Sequence, residues 1–197
     1  GLLLAKKITD DIYFKNHKIA LIEKEDKNKN DRTISFWEEG KGEWDSIICG
    51  SWNNANFISD EYESSFELKP YTYKTIRGID FYNYFKNDLN NKNNFKILKY
   101  NILKIRSDNS FSYVKTIKKE YKAPRVFSSI PNFEYKNQTS IPVLQQHFIG
   151  WFVKTENLIF DPNKLIFMDF SVPQKGNTRF MYILPFDRNF ALVEYTC

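Results

Sequence analysis

The sequence predicts an α+β fold: an α/β start of one helix and one parallel strand, interrupted by a large, mainly antiparallel sheet. Three observations predict it. Apolar residues near the front follow helical spacing and then condense into a short continuous run. Most later segments are extended stretches rich in Tyr, Phe, Ile and Val, separated by polar turns. A single long helical pattern, over 78–91, breaks that series. The 197 residues are 42% hydrophobic and 17% aromatic, enough for one domain, or one domain plus part of another, to bury a large core.

Taken in order, residues 2–12 read as a helix, with Leu2, Leu4, Ala5, Ile8 and Ile12 near helical spacing. The stretch 18–25, KIALIEKE, has an apolar centre at 19–22 suited to a buried parallel strand that ends on Glu23. Residues 30–38, NDRTISFWE, are extended and run into a turn at 39–42. Strands follow over 51–59, 62–68 and 70–77. The helix over 78–91 places Ile79, Tyr82, Phe85 and Leu89 on one face. Extended runs over 95–105, 111–117 and 121–128 lead to a loop-rich crossing marked by Pro124, Pro131 and Pro142. Four more extended runs close the chain, over 143–153, 165–170, 179–184 and 190–196.

Charge and cysteine content narrow the function classes. The net charge is +5, but lysines are spread along the chain with acids between them. No Lys/Arg block resembles a nucleic-acid arm, so no nucleic-acid partner is expected. A solvated mixed surface is the plain reading, with a weak pull toward a membrane surface as the alternative. Cys49 and Cys197 lack metal-ligand spacing and point to a reducing compartment. His17 and His147 have no ligand partners nearby, so no metal is expected. No stretch approaches the length of a membrane span, and the apolar run 2–5 is too short for a signal peptide. The chain opens on Gly1 rather than Met, which suggests a fragment or a removed segment.

A helix opened by Gly1, then a strand ending in an acid about 20 residues on, matches the second half of a dinucleotide-binding βαβ unit. In such a unit the helix N-terminus offers unpaired N–H groups to the pyrophosphate, and the acid accepts hydrogen bonds from ribose hydroxyls. Gly1 would be the last glycine of a G-x-G-x-x-G loop. An ordinary crossover with an exposed Glu23 gives the same pattern, and the two readings stay open on these residues alone.

Five ordered segments carry a family resemblance: NDRTISFWE (30–38), PYTYKTIRGIDFY (70–82), QQHFIGWFVKT (145–155), FDPNKLIFMDF (160–170) and FMYILPFDRNFALVEYT (180–196). Together with GLLLA at the start, they resemble the lycopene β-cyclase family over nearly the whole chain. The resemblance implies a flavoprotein-hydroxylase-like fold: a Rossmann-like FAD-binding domain joined to a sheet-floored substrate domain. It implies a truncated FAD domain over 1–140, lacking its first strand and phosphate loop and carrying inserted strands. The substrate domain would begin over 141–197. It further implies reduced FAD as cofactor and lycopene or a related carotenoid as substrate. The reaction is acid/base isomerisation of linear ψ-ends to β-ionone rings. Because that substrate partitions into bilayers, a cytoplasmic enzyme held peripherally at a membrane surface is expected, although no segment shows a clear amphipathic anchor.

The same resemblance suggests site residues. Glu194, alone in the apolar ALVEYT run, falls where the family keeps the acid needed for cyclisation, and a carboxyl in a dry pocket has the raised pKa that proton transfer needs. The family often has a second acid next to it; here Tyr195 stands there. Asp169, between Met168 and Phe170, is a second catalytic candidate or a structural acid. Gly1, Glu23, Arg32 and Arg77 are the expected cofactor-binding set, with Trp37 also on the flavin side, the arginines favouring an anionic reduced flavin. Trp151 and Phe148, with Phe152, are expected to line a substrate channel and face a cation, or else to be core. Where the family has an acid after 125–127, this chain has Ser128 and Ser129, so nothing is carried over. A related flavin oxidoreductase (a prenyl reductase or hydroxylase) and an inactive fragment are the alternatives.

Overall fold

The computed structural model describes residues 1–131 and 133–197. In chain order the elements are α1 (Leu2–Asp10), β1 (Ile19–Ile22), β2 (Thr33–Glu39), β3 (Gly50–Trp52), β4 (Asn54–Ile58), β5 (Glu63–Glu67), β6 (Tyr71–Arg77), α2 (Gly78–Leu89), β7 (Phe95–Leu98), β8 (Ile102–Ser107), β9 (Ser112–Thr116), β10 (Glu120–Ala123), β11 (Phe148–Lys154), β12 (Lys164–Asp169), β13 (Phe180–Asp187) and β14 (Phe190–Thr196). Short 3-10 turns lie at Ile12–Phe14, Asp45–Ile47 and Glu134–Asn137. The chain packs as two compact units, 1–31 with 78–137, and 32–77 with 138–197. The division therefore differs from contiguous blocks of 1–140 and 141–197. The strands over 32–77 hydrogen-bond into the same unit as the C-terminal strands, through the β4–β12 pairing.

In the first unit β1 pairs in parallel with β7, Ile19 opposite Phe95 and Ile22 opposite Leu98. Having one neighbour, β1 is only half-buried and its Ala20 is exposed. Helix α1 stops at Asp10, short of the expected Ile12. Asp11 turns extended, and its carboxylate accepts the Tyr13 N–H, starting a 3-10 turn. Asp at such a position competes with the helix for backbone groups, and Ile12 is left 86% exposed. Helix α2 buries Phe81, Tyr82, Phe85 and Leu89, a stripe set by helical periodicity. The Tyr82 O–H donates to Asp31 at 2.7 Å. Strands β8, β9 and β10 form a separate antiparallel sheet.

The second unit holds a three-stranded sheet, β2-β6-β3, and a six-stranded sheet, β11-β14-β13-β12-β4-β5. All pairs are antiparallel except β12 with β4. The stretch 51–59 is two strands in different sheets, not one. The chain changes sheets at Asn53, whose carbonyl accepts the Leu68 N–H and whose side chain accepts the Thr72 hydroxyl. Trp52, Ala55, Leu68, Tyr73, Leu165, Leu184 and Leu192 form one core with residues from both sheets. Lys74 is buried, and its ammonium donates to Glu38 at 2.8 Å, to Asp45 at 2.7 Å and to the Gly40 carbonyl, tying the loop after β2 to β6.

Leu184 is fully buried in that core. Leu184→Ala is expected to lower unfolding free energy by about 2–5 kcal/mol through lost burial and the cavity left behind, measured by urea titration.

Candidate active site

The site is built on β14, which pairs on one side with β11 and on the other with β13. Glu194 stands opposite Gly150 of β11 and Tyr182 of β13. Residues paired directly across strands share a face, and alternate residues along a strand share it too. Leu192, Glu194 and Thr196 therefore face one way with Phe148, Gly150, Phe180 and Tyr182. A cavity of about 370 Å³ opens on this face. Its wall includes Phe148, Phe167, Phe180, Tyr182, Tyr73 and Leu192 around Glu194.

Gly150 makes room for the carboxyl. A Cβ there would lie 3.4 Å from Glu194 Oε2 and 3.3 Å from Leu192 Cδ1. Among the described residues no hydrogen bond or ion pair reaches the Glu194 carboxylate. Its pKa is raised above the ordinary glutamate range by desolvation. Across the ladder, the Tyr182 O–H donates to the Tyr73 hydroxyl at 2.8 Å. Burial, then the neighbouring Tyr73, hold the Tyr182 phenol well above the usual tyrosine range, so it stays neutral. Tyr73 in turn packs against Trp37, ring centroids 4.5 Å apart, and Trp37 against Phe167 at 5.6 Å. Ser35 and Thr75 share a hydrogen bond of 2.9 Å on β2 and β6, and Ser35 also lines the cavity.

The pleat separates the expected residues. Phe148 lines the cavity with Glu194, but Trp151 is opposite Val193 and so faces the other side of the sheet. Asp169 also lies on that other side, opposite Met181. Its Oδ1 accepts the Ser171 N–H at 3.0 Å and hydroxyl at 2.6 Å, so it holds the turn after β12 rather than the cavity. A β-bulge between Ile166 and Asp169 sets Phe167 and Met168 both on the cavity wall. Phe152 shares the Glu194 face but stacks with Phe186 and Phe190.

Arg32 and Arg77 come together at one end of the β2–β6 ladder, since Arg77 pairs with Thr33, the residue after Arg32. Both are exposed. In the first unit, Gly1 precedes α1, which has no side-chain cap. A Cβ on Gly1 would meet Leu21 Cδ1 at 3.5 Å, an ordinary contact, so packing alone does not demand glycine there. Glu23 follows β1 and its Oε1 accepts the Glu25 N–H at 3.1 Å. Tyr73, Tyr182, Ser35, Gly150, Phe167 and Phe180 are the site residues that the sequence did not single out. The alternation in FMYILPFD and FALVEYT was the available signal for Tyr182 and Phe180; pairing across 109 residues for Tyr73 left none.

Over residues 1–197 the chain matches the family described as lycopene cyclase protein. The chain belongs to that family. No curated protein matches this lycopene cyclase family member. Among solved structures it is similar to a geranylgeranyl bacteriochlorophyll reductase-like protein from Thermoplasma acidophilum, 14% identical with a TM-score of 0.62, covering 100% of this chain and 53% of that one. It is also similar to 2,6-dihydroxypyridine-3-hydroxylase from Arthrobacter nicotinovorans, 10% identical with a TM-score of 0.62, covering 98% and 53%. A third is pqsL, a probable FAD-dependent monooxygenase from Pseudomonas aeruginosa, 9% identical with a TM-score of 0.57, covering 99% and 57%. The chain thus spans a little over half the length of these relatives, and the fold is of the flavoprotein-hydroxylase kind. Among the described residues no helix is long and apolar enough to cross a membrane, and no group of three His, Cys, Asp or Glu could hold a metal.

The raised Glu194 pKa has a sign that stability measurements read. A carboxyl whose folded pKa exceeds its unfolded value, near 4.3, adds its full stability below the unfolded value. It loses that stability as pH rises through the folded one. Glu194→Gln, which mimics the neutral carboxyl, is therefore expected to be more stable than wild type above the raised pKa. The difference should shrink as pH falls through the raised pKa and vanish below the unfolded value, in urea titrations across pH; a wild type favoured at high pH would show a stabilised carboxylate instead.

Proposed function

We propose that the protein is part of a flavin-dependent lycopene cyclase that closes ψ-ends of lycopene or a related carotenoid into β-ionone rings. The observation that carries this reading is the unpartnered, desolvated Glu194 carboxyl in an aromatic-walled cavity. A hydrocarbon offers nothing to hydrogen-bond, so apolar walls must recognise it. At about 370 Å³ the cavity lies at the lower end of ligand pockets, roughly 300–1,000 Å³, and suits one end group of a long polyene.

The chemistry then follows from this chain's residues. Neutral Glu194 gives its proton to a terminal carbon–carbon double bond. The cation formed is attacked by a neighbouring double bond, which closes the ring and moves the charge. Loss of a ring proton to a carboxylate restores neutrality, so one proton enters, one leaves, and no electrons are consumed. The ring faces of Phe148, Phe167, Phe180 and Tyr182 around the cavity stabilise the cation and exclude water. The Tyr182–Tyr73 hydrogen bond holds one wall in place.

The residues also fit a flavin dinucleotide. The uncapped α1 start after Gly1 offers backbone N–H groups to a pyrophosphate. Glu23 keeps one carboxylate oxygen clear of backbone bonds for a ribose. Bound and reduced, the flavin supplies negative charge that favours a nearby cation.

The solved relatives include a reductase-like protein and a hydroxylase, which supports a flavin oxidoreductase as the second reading. Glu194→Gln in the whole enzyme, given reduced flavin and lycopene, is expected to lower ring closure on the order of 10²–10⁴-fold with β-carotene-type product unchanged in identity. Electron uptake stoichiometric with product would favour the second reading over the first.

A further inference from the structure

The positive charge of the chain is not evenly spread. Residues 99–125 hold eight basic and two acidic side chains, net +6, against +5 for the whole chain. The sheet β8-β9-β10 gathers four of them, Lys104, Arg106, Lys115 and Lys122, on one face. Lys104 pairs across to Lys115 and Lys115 to Glu120; Arg106 pairs to Tyr113 and Tyr113 to Lys122. These rows share a side, while Ile105, buried Val114 and Tyr121 take the other. Two acids border the charged side: Glu120 is held by Arg106 at 3.0 Å, and Asp108 is hydrogen-bonded to Tyr113. Lys104, Lys115, Lys118 and Lys119 have no ion pair among the described residues.

The β9–β10 turn adds apolar groups to this charge. Thr116 Oγ1 accepts the N–H groups of Lys118 and Lys119 and donates to the Lys119 carbonyl at 2.8 Å. The turn is thereby fixed and presents Ile117, 76% exposed, between Lys115 and Lys118. Leu103, 56% exposed, bulges from β8 at the same end, next to the Ile102–Thr116 pair.

We infer that this hairpin end docks on an anionic phospholipid surface, with Ile117 and Leu103 entering the headgroup region and the lysines meeting phosphates. Exposed apolar residues ringed by unpaired lysines are what such a surface takes. Single-stranded nucleic acid would instead need free aromatic faces. Here Arg106 covers Tyr113 at 3.7 Å, Lys122 covers Phe111 at 3.7 Å, and Tyr121 stacks with Tyr100. The inference is independent of the Glu194 reading, because docking needs neither flavin nor turnover.

The test is co-sedimentation of the full chain with mixed phosphatidylcholine–phosphatidylglycerol vesicles and with phosphatidylcholine alone. Binding is expected on the mixed vesicles, weakened by salt, and much less on the neutral ones. Each basic residue near an anionic bilayer contributes roughly fivefold. The triple variant Lys115→Glu, Lys118→Glu, Lys119→Glu should therefore lose on the order of 100-fold in affinity. A single Lys175→Glu at an exposed position outside this hairpin should have little effect, against roughly tenfold or more for Lys118→Glu alone. Ile117→Ser is expected to weaken binding severalfold with the salt dependence intact. Circular dichroism of each variant guards against unfolding. Equal binding to neutral vesicles, undiminished binding of the folded triple variant, or no vesicle binding alongside retention of an RNA oligomer would each overturn the inference.

Discussion

The site depends on β14 being hydrogen-bonded on both sides. Pairing with β11 and β13 fixes the face to which each residue of FALVEYT points, and one residue of slip would send Glu194 to the opposite face. With the register as it is, Glu194 stands between Gly150 and Tyr182, and Leu192 anchors the same row in the core. The core of the second unit therefore does two things at once. It stabilises the sheets and aims one carboxyl into an aromatic-walled cavity.

That placement opposes the usual treatment of a half-buried acid. A carboxylate normally finds an arginine, a lysine or several N–H donors, and its pKa falls. Elsewhere in this chain that is the rule: Asp45 beside Lys74, and Asp10 beside Lys6 and Lys92, are held below the ordinary range by their ammonium partners. Among the described residues Glu194 has no such partner, and desolvation moves it the other way. Gly150 leaves the space, and the Tyr182–Tyr73 pair fills the neighbouring position with a neutral, internally satisfied hydroxyl. An unfavourable local environment at a place with strong surrounding support is the pattern expected of a functional group rather than a structural one.

Local pattern made part of this visible. The helix at 78–89, the strand at 19–22 and the isolation of Glu194 among apolar neighbours follow from periodicity and composition. The mainly antiparallel sheets of the second unit follow from alternation and turn residues. What local pattern could not show depends on pairings distant in sequence. The split of 51–59 between two sheets turns on hydrogen bonds that Asn53 accepts from the Leu68 N–H and the Thr72 hydroxyl. Asp169 and Met168 look alike in FMDF until the β12 bulge sends one to a turn and the other to the cavity. Trp151 and Phe148 are close in sequence, yet three residues along a strand put them on opposite faces. Lys104, Arg106, Lys115 and Lys122 look scattered in sequence and become one face only when β8, β9 and β10 pair.

A protonated Glu194 that delivers its proton to carbon leaves a mark in the product, because a carboxyl proton exchanges with water and a carbon-bound one does not. The decisive measurement is mass spectrometry of the cyclised product formed by the whole enzyme in deuterated water. One solvent-derived deuterium per ring closed is the result predicted here. Product carrying no deuterium would contradict proton delivery by the carboxyl.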